Sequence, residues 1–388
     1  MRAYGGPMFR RISLGIALVG LLIAAGLRSR PVVAIPLFAH QYGVTCEKCH
    51  SVIPHLNAFG AAFMANGYRI PGVKPGPAFP ISAKTNLVAS TEVQGQGLPK
   101  DIVDEVETFT AGAIGNRASY LVEQYVVDGG MRGLTRDAWV IDRVNPWSAR
   151  VPIFVQAGSF TLPVPVDPET FRDSYQGYAV MEQTVGNNPF NFFAPKIGVR
   201  ASVGDLTRGL SGQVFVGQGH DRQSGIPAYG DDWMGVAQDV FGPVTLTGYR
   251  YSGTRPLVDG DIDRFQRTGY GVVYNNFSHW EWDNLIQTGW DSNCNVLFHT
   301  GCASSGGLTQ LRYMFNRRLY AEARYEGTNS PVDTSVSIGP GSPNSGFYRD
   351  GVIMLGYGTG ENSRITLENV IQNSAPTHVW NLQFTVGY

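Results

Sequence analysis

Two cysteines three positions apart, with a histidine directly after the second, make up Cys46-Glu47-Lys48-Cys49-His50. In an exported chain this pentad points to one chemistry: the two thiols add to the vinyl groups of a haem, and the same helical turn delivers the histidine to the iron. A redox or zinc pair is the competing reading, but zinc needs two further ligands and none stands at a suitable spacing. The expected cofactor is one haem c per chain, bound covalently through Cys46 and Cys49, with His50 as the proximal axial ligand.

The opposite axial position has several candidates. His55 follows His50 by five residues, which reach roughly 17 Å when extended, and Pro54 stiffens that path. Met64 has more slack. Residues 55–66 read as a helix with His55, Phe59 and Phe63 in one i, i+4 row, while Gly60 and Ala61, a turn before Met64, leave room for a flat macrocycle. Met64 is the first candidate and His55 the second, with His40 or an open position remaining. A methionine would raise the reduction potential by favouring ferrous iron.

The remaining cysteines, Cys294 and Cys302, flank a short polar stretch in what reads as a long outer loop. They are expected to form a disulfide, which requires a compartment outside the cytoplasm. The N-terminus agrees. Arg10 and Arg11 precede an uncharged apolar run from Ile12 to Leu27, and Val32-Val33-Ala34 offers small residues for cleavage, so residues 1–34 read as an export signal. A retained membrane helix is the alternative, opposed by Arg28 and Arg30 directly after the run.

What must position these residues is β-structure. The 388 residues include 48 glycines and 23 prolines, with 12% aromatic and only 16% charged side chains, which excludes both a disordered tail and a helical bundle. Five of the 30 basic residues lie in residues 1–34, which hold no acid, so the remainder carries 25 against 31 acidic ones. A net charge near −6 excludes nucleic acid as a partner, because such binding needs phosphate-neutralising surface.

From Ile81 onward the chain alternates. Trp380, Leu382, Phe384, Val386 and Tyr388 fall on one face, with Asn381, Gln383, Thr385 and Gly387 on the other. The same period marks Ile197 to Val203 and Leu319 to Glu326. Sixteen such segments are expected, at 82–94, 104–114, 118–127, 134–144, 150–162, 194–203, 211–219, 231–240, 243–251, 265–276, 278–289, 305–316, 318–327, 346–357, 362–373 and 378–388. Brief connections such as Gly115-Asn116-Arg117 and Gly242-Pro243 alternate with long polar ones at 163–193, 220–230, 252–264, 290–304 and 328–345. An even strand number, short turns on one side and long loops on the other describe an outer-membrane antiparallel barrel, greasy toward lipid and polar toward the lumen, with the long loops extracellular.

The segment Ile35-Pro36-Leu37-Phe38-Ala39-His40-Gln41-Tyr42-Gly43-Val44-Thr45-Cys46, followed by Cys49-His50, Pro54, Leu56-Asn57-Ala58-Phe59-Gly60, Phe63 and Gly67-Tyr68, resembles the fused outer-membrane cytochrome-porins of iron-oxidising bacteria. The match covers about residues 35–68; over the barrel only strand rhythm and length support it. The resemblance implies a small helical monohaem cytochrome seated in the lumen of a sixteen-stranded barrel. It also implies an electron-transfer oxidoreductase, with extracellular Fe(II) as donor, a periplasmic c-type cytochrome as acceptor, and the lipid of the outer membrane around it. Residues 69–81, with Pro71, Pro75, Pro77 and Pro80, read as a stiff linker between cytochrome and barrel. A solute porin with a cytochrome plug and an outward electron conduit are the competing functions.

Two further groups bear on that function. Asp259, Asp261 and Asp263 alternate in an outer loop, where they could attract a divalent cation or simply form a solvated turn. Arg200, Arg250, Arg312 and Arg324 are candidates to face the lumen and neutralise haem propionates, unless a neighbouring carboxylate such as Glu322 takes them. No nucleophile constellation and no phosphate-binding glycine loop occurs.

Covalent haem attachment should require both thiols. Haem-stained gels of Cys46→Ala, Cys49→Ala and the double variant are expected to show progressive loss of covalent stain, and full staining in the double variant would refute the assignment.

Overall fold

The computed structural model describes residues 37–77, 81–91, 93–94, 98–99, 103–129, 131–168, 170–186, 188–218, 232–256, 260–295, 300–330, 346–373 and 378–387. The export signal, Asp259 and Tyr388 lie outside the described residues.

Sixteen long strands close into one antiparallel barrel. They are β1 Ser82–Ser90, β2 Val103–Ile114, β3 Ala118–Asp128, β4 Thr135–Arg143, β5 Ile153–Phe160, β6 Lys196–Val203, β7 Gly209–Gly217 and β8 Asp232–Phe241. The second half comprises β9 Val244–Pro256, β10 Ile262–Asn275, β11 Trp280–Asn295, β12 Thr300–Met314, β13 Leu319–Asn329, β14 Phe347–Gly358, β15 Ser363–Gln372 and β16 His378–Gly387. Each strand pairs with its neighbours in sequence, and β16 closes the ring on β1, with Leu382 opposite Ala89 and Phe384 opposite Leu87.

The alternation in sequence becomes two faces. On β14, Ile353, Leu355 and Tyr357 are exposed while Tyr348, Asp350, Val352 and Met354 are buried. On β11, Trp280, Trp282, Ile286 and Trp290 point outward, and Glu281, Asp283, Leu285 and Gln287 point in. So continuous an apolar exterior is stable only in lipid. Tight turns join β2 to β3 and β8 to β9, where Gly115 and Gly242 take φ of +54° and +61°, a conformation that favours glycine.

Three expectations change. Strands β9 to β12 run further than the alternation suggested: residues 252–256, 262–264, 290–295 and 300–304, expected in loops, continue the hydrogen-bonded ladder. Pairing persists where an apolar outer face is no longer needed, so a hydrophobic period cannot mark these ends. Cys294 and Cys302 therefore stand on paired strands, with Cα atoms 6.1 Å apart, a separation that a disulfide spans.

The long connection between β5 and β6 does not extend outward. It folds into the lumen, where Leu162, Val164, Val166, Tyr178, Val180, Met181, Phe190 and Phe192 are buried against Phe215, Met234, Tyr249, Tyr251, Phe265, Leu285 and Leu308 of the wall. Over this sector the inner face is apolar, not polar, because it meets protein instead of water.

Third, the proline-rich stretch, expected as a stiff linker, is also anchored. Gly76 donates its backbone N–H to the Gln41 carbonyl at 2.7 Å, and buried Arg69 donates to the Gly115 carbonyl at 2.8 Å.

Charged side chains fix the inward loop. Asp173 is fully buried and pairs with Arg312 of β12 at 2.6 Å and Arg364 of β15 at 3.0 Å. Asn188 donates to Asp263 at 2.8 Å and to Asp291 at 3.0 Å, and Asp291 holds Arg267 at 2.7 Å. Replacing Asp173 by alanine strands two buried guanidinium groups, so unfolding in detergent should lose about 3–5 kcal/mol. The check is the urea midpoint of Asp173→Ala against the parent; equal midpoints would show that the loop is held otherwise.

Candidate functional site

Residues 37–77 fold inside the short-turn end of the barrel. Helix α1, Leu37–Tyr42, leads to a single 3₁₀ turn over Cys46–Lys48, then to a small ribbon of His50–Val52 against His55–Leu56, and to helix α2, Ala58–Ala65. Gln41 accepts from the backbone N–H of Ala113 on β2 at 3.0 Å. Val52 packs with inward-facing Met314, Tyr320 and Met354.

Asn57 organises the turn that carries the cysteines. Its Oδ1 accepts from the Gly60 N–H at 3.0 Å and so caps α2, its own N–H donates to the Cys49 carbonyl at 2.9 Å, and its Nδ2 donates to the Glu47 carbonyl at 3.1 Å. Gly60 completes the fit. A Cβ there would stand 2.0 Å from the Cys49 carbonyl oxygen, so the glycine serves close helix approach to the cysteine turn before it serves room for a macrocycle. An asparagine before an alanine-rich run was the available signal for this cap.

Cys46, Cys49, His50 and Met64 all line one cavity of about 650 Å³, within the ~300–1,000 Å³ typical of cofactor sites. Its walls come from the N-terminal segment, from β1 to β4, from β15 and β16, and from the inward loop. Neither Cys46 nor Cys49 is in a disulfide. Burial, reinforced by the Glu361 carboxylate, pushes the Cys46 thiol up to about 11, and burial raises Cys49 too. Burial lowers the basicity of His50, which keeps its imidazole neutral, the form that ligates iron. The His50 Nδ1 lies 2.9 Å from the Pro54 carbonyl; with the proton on Nδ1, Nε2 is left for a metal.

The two distal candidates separate. Met64 lines the cavity, whereas His55 does not. The expected helix over 55–66 begins only at Ala58, so His55 leaves the row with Phe59 and Phe63 and sits on the ribbon. There it is buried, with Nε2 2.8 Å from Glu281 of β11 and Nδ1 3.9 Å from Asp173 of the inward loop. His40 is on the exposed side of α1 and is not among the cavity residues. An aromatic cluster closes the floor: Phe38 and Tyr42 meet Phe63, and Tyr68 stacks on Phe38 at 5.2 Å and reaches Trp139 of β4 at 5.0 Å.

The proposed propionate arginines are elsewhere. Arg250 is exposed and donates to Gln266; Arg200 pairs with Gln156 and does not line the cavity. Arg312 is spent on Asp173, and Arg324 on Glu326, Ser174 and the carbonyls of Gln176 and Gly177, not on Glu322. The cations that do line the cavity are Lys84, Arg136, Arg172 and Arg364. Alternation gave their inward parity on the strands but not the sector of the ring, which only closure defines.

The outer aspartates also differ from expectation. Asp263 is fully buried and accepts from Asn188, Ser292 and the Asn293 N–H, while Asp261 accepts from Asn293 at 3.3 Å. Among the described residues, no group of three or more histidine, cysteine or carboxylate side chains is arranged to hold a metal ion.

No family model and no curated protein matches this chain. Solved structures do. The OmpF of Salmonella typhi, in complex with daunomycin, superposes with a TM-score of 0.58 at 13% identity, over 80% of this chain and 98% of that one. An anion-selective porin from Comamonas acidovorans gives 0.56 at 10% identity, over 79% and 98% of the two chains. The channel DcaP of Acinetobacter baumannii gives 0.52 at 10% identity, over 79% and 95%. At these identities the likeness is one of fold, and that fold is the porin barrel.

Proposed function

We propose that the chain is an outer-membrane electron conduit: a c-type haem in the lumen takes electrons from extracellular Fe(II) and passes them to a periplasmic c-type cytochrome. The observation that carries this reading is the single cavity shared by Cys46, Cys49, His50 and Met64, enclosed by a barrel wall. The donor set suits a thioether-bound haem, with two thiols for attachment, a neutral imidazole oriented through Pro54, and a methionine on the same cavity. When bound, haem supplies a one-electron ferric–ferrous couple. The chain's own residues do the rest. Cys46 and Cys49 would hold one edge of the group, His50 and Met64 would supply its iron donors, and Phe63, Tyr68 and Trp139 would restrict water on that side.

The inward loop fills part of the lumen with apolar side chains, which narrows the passage open to solutes. Fe(II) in particular rests on the resemblance of residues 35–68. With the short turns periplasmic, Glu361, whose charge acts on buried Cys46, lies in the turn between β14 and β15 on the acceptor's side.

Met64→Ala should turn a low-spin ferric spectrum high-spin or water-ligated and lower the potential, whereas His55→Ala should leave the spin state unchanged. Absorption and electron spin resonance spectra of both variants check this, and the reverse pattern would move the ligand to His55. In proteoliposomes, external ferrous iron is expected to reduce the chromophore within the stopped-flow time range while sugar flux stays negligible. Brisk sugar flux without reduction by iron would favour a solute porin; reduction only from the enclosed side would favour outward transfer.

A further inference from the structure

Four cations line the cavity, and three of them are engaged. Lys84 pairs with Glu107 at 2.7 Å. Arg136 donates to the Tyr125 hydroxyl at 3.1 Å and lies 4.4 Å over the Phe193 ring. Arg364 holds Asp173 at 3.0 Å and Tyr320 at 3.3 Å. Arg172 is the exception. Its field reaches Glu105 and Glu182, yet among the described residues its guanidinium closes no ion pair or hydrogen bond with either, and its one direct partner is the Phe193 ring at 5.8 Å.

The backbone around Arg172 is nevertheless held firmly. The next residue, Asp173, is bound by Arg312 and Arg364. Just beyond, the N–H groups of Tyr175 and Gln176 both donate to Glu368 of β15, at 2.8 and 3.0 Å. Before it, the Phe171 N–H closes a turn on the Asp167 carbonyl at 3.0 Å. A half-buried guanidinium with its donors unspent, on a fixed backbone and facing a cofactor-sized cavity, is prepared for an anionic ligand. Planar guanidinium matches carboxylate in a two-point fork.

We propose, building on the haem reading above, that Arg172 of the inward loop binds the propionate edge of the haem. Thioether bonds at Cys46 and Cys49 would fix the vinyl edge of the macrocycle, which would leave its two carboxylates on the opposite edge, in the cavity that Arg172 also lines. The other three cavity cations already have partners, which leaves Arg172 as the one whose pairing the cofactor completes. The inward loop is then part of the haem site as well as the filling of the lumen. Removing a positive charge beside the propionates favours the more positive ferric state and lowers the reduction potential.

The test uses the full chain in detergent, comparing the parent with Arg172→Gln and Arg172→Lys. Three readouts are taken: covalent haem per chain, midpoint potential by spectroelectrochemistry, and the propionate bending band in resonance Raman spectra. Arg172→Gln is expected to keep its covalent haem, lower the midpoint and shift the propionate band, with Arg172→Lys recovering most of the potential but not the band position. The band separates direct contact from a field effect, since a remote charge moves the potential alone. Full haem content with an unmoved band in Arg172→Gln would overturn the assignment while leaving the haem reading intact. A parent chain without covalent haem would overturn both, and the haem assay identifies that outcome by itself.

Discussion

A strand inside a bilayer has no water to satisfy its N–H and C=O groups, so the sheet must leave no edge. The pairing of β16 with β1 meets that demand, and much of the structure follows from it. Closure gives every strand one face toward lipid and one toward the lumen, which is why Trp280 and Trp282 look outward while Glu281 and Asp283 look in. A ring of this size encloses more space than its own side chains fill. The chain supplies the filling itself, from the loop between β5 and β6 and from the segment before β1.

That filling brings charge into the interior, and several of these charges are paired. Asp173 with Arg312 and Arg364 ties the inward loop to β12 and β15, while Asp291 with Arg267 and Asp232 with Arg255 join neighbouring strands of the wall. Buried pairs of this kind add little net stability over apolar packing, but losing one partner is costly. The two Asp173 pairs give the inward loop one register. Asn188, which bridges Asp263 and Asp291, does the same for the far end of the loop without a charge.

The N-terminal segment depends on the barrel in a different way. About forty residues cannot bury a sufficient core alone, and this segment borrows one from the wall: Tyr68 on Trp139, Val52 among Met314, Tyr320 and Met354, His55 on Glu281. His55 thus joins the cysteine-bearing segment, a barrel strand and the inward loop at one point. That histidine, the second candidate for the distal position after Met64, has its Nε2 turned to a carboxylate on the wall. Met64, one helix further on, stays with the cavity.

Local patterns were legible from the residues alone. The pentad Cys46 to His50 points to a haem because five adjacent residues contain the whole recognition unit, and alternation points to a two-faced strand because side-chain direction repeats every second residue. The sixteen strands follow, as does the shared face of Glu322 and Arg324. Sequence spacing did not reveal that residues 290–295 and 300–304 remain in the ladder, since backbone pairing there needs no apolar face. Nor did it reveal that the polar connection after β5 turns into the lumen, that Asp263 is spent on Asn188, or that Arg172 faces the same cavity as Cys46. Those facts depend on which strand stands opposite which across the barrel. Closure of the ring sets that distance, and no period along the chain encodes it.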